Sequence, residues 1–205
     1  KQKEYLAIIV RESERLSALI ENVLDFAKVE RGRKAYELAE GDVARAVAEA
    51  IHVYRYRAER EGVEIELDVA PDLPVARLDD RAVGLAVINL VDNALKYGGG
   101  TKTVTVRVTR RGRDVVVSVI DQGPGVPPEE RHKVFDRFVR GEATRRESRV
   151  RGSGIGLALV KHVAESHGGK AWVEPAPGGG ACFSFTVAGM QKATAGPRTV
   201  ARAPS

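Results

Sequence analysis

Hydrophobic spacing divides the chain into two unlike parts. Over residues 3–31, Leu6, Ile9, Leu16, Leu19, Ile20, Val23, Leu24 and Ala27 recur in steps of three and four, with no Gly or Pro until Gly32. That period predicts one long helix, about 43 Å at ~1.5 Å per residue. Its apolar stripe is wide and no adjacent segment covers it. Partner helices are therefore expected, as in a coiled coil or half of a bundle, the alternative being packing on its own domain. The basic run Arg31-Gly32-Arg33-Lys34 reads as a hinge.

Beyond the hinge the periods change. A short strand is expected over 36–39, then a helix capped by Asp42 and running to about Arg60. Val63, Ile65, Leu67 and Val69 alternate with Glu64, Glu66 and Asp68, which predicts a half-buried strand. Pro71 and Pro74 mark a turn, and a second helix begins at Asp79 and ends near Tyr97, before three glycines. Strands over 103–110 and 114–120 form a hairpin through Arg111-Gly112-Arg113. A helix starts near Ser153 and ends by Gly168-Gly169, and strands over 171–174 and 182–187 close the domain. Helices and strands in mixed succession imply an α+β fold, one mixed sheet with helices on one face. The expected division is 1–34, 35–189 and a disordered tail over 190–205.

Composition narrows this only a little. Aromatics are 5%, so the core must be built mainly from Val, Ile, Leu and Ala. Of the net charge of +5, Lys192, Arg198 and Arg202 of the tail supply three, which leaves too little to make nucleic acid a primary partner. The single Cys182 excludes a disulfide framework and a Cys-rich metal site. Neither a signal peptide nor a run of ~20 apolar residues is present, so a cytoplasmic setting is expected. The sequence opens on Lys1 with its only methionine at Met190, so a piece of a longer protein is expected.

Three groups carry candidate chemistry. Asn89, Asn93, Lys96 and Tyr97 project from one face of the 79–97 helix, opposite Ala86, Val87, Leu90, Val91, Ala94 and Leu95. Asparagine is unfavourable inside a helix, whereas amide oxygens are hard, neutral ligands suited to Mg²⁺ beside phosphate and water. Taken alone, the group reads equally as a solvated polar stripe. Asp121-Gln122-Gly123-Pro124-Gly125 follows an apolar strand; its carboxylate can accept from an amino group such as adenine's, or simply face water in a turn. Gly152-Ser153-Gly154-Ile155-Gly156-Leu157 opens a helix and offers N–H groups to phosphate, although G-x-G-x-G is weak in isolation. Between these, residues 126–151 are long and polar apart from Val134-Phe135-Asp136-Arg137-Phe138. Five arginines within 140–151 suit a cationic lid or a surface loop.

The order of these groups, within about 68 residues, is more specific than any one of them. NLVDNALKYG (89–98), DQGPG (121–125), VFDRFVRG (134–141) and GSGIGLALV (152–160) resemble the N, G1, F and G2 boxes of bacterial two-component sensor histidine kinases. These belong to a wider ATPase superfamily with gyrase and MutL. The closing GGGACFSFTV (178–187) looks like the family's terminal strand, and YLAIIVRESERLSALIENVLDFAKVERG (5–32) like the second helix of its dimerisation and phosphoacceptor domain. The resemblance implies a two-layer α/β sandwich of the Bergerat type, preceded by one long dimerisation helix. It also implies ATP and Mg²⁺ as cofactors, a homodimer through the helix bundle, and a response regulator receiver domain as partner. The parent would be an inner-membrane protein with this part facing the cytoplasm.

By the same resemblance, Asn93 coordinates Mg²⁺ with Asn89 assisting, Lys96 contacts phosphate and Tyr97 lies along the nucleotide. Asp121 reads the adenine amino group, with Gly123 and Gly125 shaping the pocket. Arg137 and Phe138 link lid closure to the γ-phosphate. Gly152, Gly154 and Gly156, with Ser153, Ile155 and Leu157, hold the triphosphate. The superfamily's hydrolases usually place a Glu where Asn89 stands, which favours phosphotransfer over hydrolysis. His52, His132, His162 and His167 lack the acceptor context and read as structural, as do Cys182 and Trp172. Two other functions fit the boxes: a degenerate kinase-like interaction module and an anti-sigma-type protein-serine kinase.

Overall fold

Local chemistry sets the helix starts. In the computed structural model, which describes residues 36–98, 100–139 and 154–190, Asp42 caps helix α1 (Val43–Arg60) by accepting from the N–H groups of Ala44 and Arg45 at 2.8 and 3.3 Å. Asp79 does the same for α2 (Asp80–Tyr97), accepting from Ala82 N–H at 3.1 Å. The helix expected over 3–31, the hinge, Gly152, Ser153 and the segment 191–205 lie outside the described residues.

Strands β1 (Ala39–Gly41) and β3 (Ala76–Leu78) pair antiparallel as a small two-stranded sheet. The main sheet contains β2 (Glu64–Val69), β4 (Thr103–Arg111), β5 (Asp114–Ile120), β6 (Ala171–Pro175) and β7 (Ala181–Val187), in the order β2-β4-β5-β7-β6. Among the described strands only the β2–β4 pairing is parallel, so the sheet is mixed as expected. Val104, Val106, Val108, Val115, Val117, Val119, Phe183, Phe185 and Val187 turn one face inward. They pack on Val47 and Ile51 of α1, on Val87, Leu90 and Val91 of α2, and on Leu159 and Val163 of α3 (Gly156–Ser166). The other face carries the polar alternates, with Ser118 and Ser184 hydroxyls bonded across β5 and β7 at 2.8 Å. The layered α+β reading holds.

Three boundaries differ from expectation. The strand expected over 36–39 lies at Ala39–Gly41, because its partner β3 fixes the register; three residues between Pro74 and Asp79 carry too little period to be read in advance. The last helix starts at Gly156 and not near Ser153, because Gly154 takes a left-handed φ of 69°. Met190, assigned to the tail, still donates its N–H to Val75 O at 2.8 Å, and Gly189 bridges to Ala76.

His167 ends α3 and ties it to the start of α2. It is buried, its Nδ1 bonds Val163 O at 2.7 Å, and its Nε2 accepts from Asp79 N–H at 3.0 Å, a pairing that fits the neutral ring. Burial pushes its pKa below 6.5, opposed by the Val163 carbonyl and Asp79; His162, beneath the same Tyr36 ring, shifts the same way, chiefly through burial. On acidification the unfolded chain therefore takes up these protons first. The contribution to stability is complete above about pH 6.5 and is lost as pH falls below it. The melting temperature is expected to drop between pH 7 and pH 5, and His167→Gln to flatten that slope in part, His162 supplying the remainder. A slope unchanged by the substitution would remove His167 from this role.

Candidate nucleotide-binding site

The sequence-predicted groups converge at one end of the sheet, around the C-terminal half of α2. The face of α2 given to the core is the expected one: Ala86, Val87, Leu90, Val91 and Ala94 are buried, and Leu95 packs at the margin. Asn89 and Asn93 are half-buried on the other side. Asn89 Nδ2 donates to Leu85 O at 2.8 Å, which turns Oδ1 outward. There it meets the first residue of α3: a Cβ on Gly156 would stand 2.7 Å from that oxygen. The amide oxygen of one helix thus lies at the N-terminus of another, where N–H groups and the helix dipole favour an anion. The first turn of α3 holds no acidic residue to oppose one.

Asp121 leaves the end of β5 and is buried. Its Oδ1 accepts from Gly123 N–H at 2.8 Å and from Ala181 N–H at 3.2 Å, the latter from the start of β7. Burial raises the carboxyl above its ordinary range, and those two hydrogen bonds pull it part of the way back. Among the described residues, no hydrogen bond reaches Oδ2. Gly123 is glycine for a steric reason, since a Cβ there would sit 2.8 Å from both Tyr97 O and Gly98 Cα. The Asp121 turn is therefore pressed against the end of α2, with Tyr97 beside it. Gly125 lies against the backbone of Gly180.

Thr101, which the sequence reading passed over, fastens this contact. Buried between the two segments, its hydroxyl donates to Gly98 O at 2.6 Å and accepts from Gln122 N–H at 3.1 Å. A lone Thr after three glycines gives no periodic or motif signal, so only the fold reveals it.

The F-box segment divides its aromatics. Phe135 is core and meets Phe183 edge-on at 6.1 Å, whereas Phe138 is 71% exposed with a φ of 61°, a rare conformation for a bulky residue. Phe138 N–H donates to Gly154 O at 3.0 Å, and a Cβ on Gly154 would lie 2.8 Å from Phe138 Cα. The two boxes touch backbone to backbone. Arg137 is exposed, and its charge helps to lower the pKa of His162 on α3. Ile155 is buried and Leu157 half-buried against the core, so their side chains anchor the helix start and leave ligand contacts to the backbone.

Lys96 is placed differently from a cation aimed only at a ligand: its ammonium pairs with Asp92, four residues earlier. Asp92 stands in no sequence pattern that assigns it a role. It also accepts from Tyr54 Oη at 2.7 Å and pairs with Arg57 at 2.9 Å, both on α1.

No group of three or more His, Cys, Asp or Glu side chains is poised for a metal among the described residues. The available donor set, the Asn89 and Asn93 amides beside an anion-favouring helix start, fits Mg²⁺ carried with phosphate and water. No helix among the described residues is long and apolar enough to cross a membrane.

Comparison with known proteins gives the family and the fold. Residues 78–189 match the family described as histidine kinase-, DNA gyrase B- and HSP90-like ATPase, and residues 1–32 match the His Kinase A (phospho-acceptor) domain. The adaptive-response sensory kinase SasA of Parasynechococcus marenigrum is 36% identical over 88% of this chain and 46% of its own length. The sensor-like histidine kinase SenX3 of Mycobacterium bovis is 31% identical over 90% and 45% respectively. The chain thus spans less than half the length of these curated relatives. Among solved structures, full-length ShkA in complex with AMPPNP superposes with a TM-score of 0.73 at 29% identity, over 92% of this chain and 39% of that one. The mycobacterial sensor histidine kinase MprB gives 0.62 at 33% identity, over 74% and 97%.

Proposed function

The chain belongs to the histidine kinase-, DNA gyrase B- and HSP90-like ATPase family, as a two-component sensor histidine kinase, and on that premise we propose that it transfers the γ-phosphoryl group of ATP to a histidine outside the four it carries. The observation that carries this reading is the meeting of Asn89 Oδ1 with the N-terminus of α3, beside the buried Asp121 turn. Asn93 and Asn89 hold Mg²⁺, which neutralises phosphate charge when bound. Lys96 adds a point charge, Tyr97 lies along the nucleotide, and Asp121 accepts from the adenine amino group. The glycines 152, 154 and 156 bring backbone N–H groups to the triphosphate, and Arg137 and Phe138 couple the lid to its γ end.

Catalysis by these residues then rests mostly on placing the γ-phosphorus in line with an incoming nitrogen and on spreading charge, and a base for the acceptor is expected beside the acceptor histidine itself. Hydrolysis is disfavoured by the residues present. The position four before Asn93 is an amide, and the carboxylate next to it in sequence, Asp92, is occupied by Tyr54, Arg57 and Lys96. The stretch 1–32 that matches the phospho-acceptor family contains no histidine, which supports an acceptor elsewhere. We further assign residues 1–34 to a dimer-forming helix, 35–189 to the catalytic domain, the receiver domain of a response regulator as the downstream partner, and a cytoplasm-facing position.

The test is incubation of the chain with γ-labelled ATP and Mg²⁺, with and without a separate domain bearing the acceptor histidine. Acid-labile label on the added domain, and none on the chain, is the expected result. Acid-labile label on His52, His132, His162 or His167 would overturn the acceptor assignment. Acid-stable label would indicate a serine kinase, and failure to bind ATP a non-catalytic interaction module.

A further inference from the structure

The polar cluster between α1 and α2 lies alongside an apolar core to which both helices contribute, with Ala50, Ile51 and Ala58 from one and Val83 and Val87 from the other. It is built with three donors on one carboxylate. Asp92 Oδ1 takes the Tyr54 hydroxyl at 2.7 Å and the Arg57 guanidinium at 2.9 Å, and Oδ2 takes the Lys96 ammonium. Arg57 also lies over the Tyr54 ring, 5.1 Å from its centre, and reaches Glu61 at 3.5 Å. Formal charge over Arg57, Glu61, Asp92 and Lys96 cancels, so the cluster leaves no strong field of its own.

From this geometry we infer that Asp92, anchored on α1 by Tyr54 and Arg57, is a positioning residue that holds the Lys96 ammonium in place for the nucleotide phosphates. The inference rests on the phosphate role proposed for Lys96. An exposed i,i+4 pair on a helix surface is ordinarily weak, because both side chains wander and water screens them. Here one partner cannot wander. The Asp92 side chain is only 22% exposed and is held from α1 on its other oxygen. A lysine has a long, flexible stem, and ordering it on binding costs affinity; a fixed counter-charge removes part of that freedom beforehand. Because Arg57 shares the Asp92 charge, Lys96 is not fully neutralised and keeps attraction for phosphate. Tyr54 is itself buried, with its hydroxyl held to Asp92, so the anchor belongs to the rigid core.

The experiment is a double-substitution cycle read by calorimetric titration of the whole chain with ATP and Mg²⁺. Asp92→Asn and Tyr54→Phe are each made alone and in a Lys96→Met background. Each is expected to weaken ATP binding roughly two- to tenfold when Lys96 is present, the lower part of the range of coupling between contacting residues. In the Lys96→Met background the same changes should have no effect, because the group being positioned is gone. Asp92→Glu, which keeps a carboxylate, should recover part of the loss and serves if the Tyr54 variant folds poorly. A purely structural role would weaken binding equally in both backgrounds, and that result overturns the inference while leaving Lys96 as a phosphate contact. Tighter binding in Asp92→Asn also overturns it, since the carboxylate would then be competing with phosphate. If Lys96→Met alone leaves affinity unchanged, the phosphate role of Lys96 fails first and the inference falls with it.

Discussion

Asn93→Ala is expected to abolish the Mg²⁺-dependent part of ATP binding and to lower phosphoryl transfer roughly 100-fold or more, while the domain melts no lower than the parent. The two halves of this result come from different physics. A divalent ion supplies several kcal/mol of charge stabilisation in phosphoryl transfer, and each ~1.4 kcal/mol is tenfold in rate. Losing its protein ligand therefore costs at least about two orders of magnitude. Stability is governed by what Asn93 touches and by helix propensity. The residue is half-buried on the open side of α2, away from the packed row Leu90, Val91 and Ala94. Alanine is the better helix former by about 0.5 kcal/mol. An unfolded variant would thus be a different finding from an inactive one. Titration with ATP in Mg²⁺ and in chelator, beside a melt, separates them, and Mg²⁺-dependent binding that survives the substitution would remove Asn93 from the metal role.

How far such a site can be read from sequence depends on how local its causes are. The helices α1 and α2 were legible because their starts are written within three residues, Asp42 and Asp79 each capping its own first turn. The hairpin of β4 and β5 was legible because a Gly at position 112 sits between two alternating runs. β3 was not, because its strand character comes from β1, separated from it by more than thirty residues. The same distinction runs through the site. Asn89, Asp121 and the glycines stand in recognisable local patterns, and the fold brings the first two beside α3 and β7. Thr101 and the Tyr54–Asp92 contact are made by long-range packing; the latter spans 38 positions, and nothing in either local pattern announces it. Phe135 and Phe138 show the limit of a motif. Three residues apart in one box, one closes the core and the other stands in solvent in a left-handed conformation.

Asp121→Asn is expected to weaken ATP binding roughly 10- to 100-fold with little change in stability, and to narrow the preference for ATP over GTP. The present carboxylate divides its work. Oδ1 accepts from Gly123 and Ala181 and so closes the turn onto β7; in the proposed role, Oδ2 accepts from the adenine amino group. An asparagine can keep its oxygen on the two backbone N–H groups, so the turn survives. Its amide nitrogen then stands where Oδ2 was, presenting a donor to a donor, and a buried polar group left without a partner costs about 1–3 kcal/mol. Guanine carries a carbonyl where adenine carries its amino group, and the same amide donor suits it better. Acid should imitate the substitution. Protonated Asp121 is likewise a donor at its hydroxyl, and burial has raised its pKa above the ordinary carboxylate value of 3.8. Affinity for ATP is therefore complete above that raised pKa and is lost as pH falls through it, at a higher pH than an exposed aspartate would give. In Asp121→Asn the acid limb should vanish, leaving only the shallower loss of stability that His167 and His162 cause below about pH 6.5. An acid limb that persists in the variant would mean that another group carries the titration and that Asp121 does not read the base.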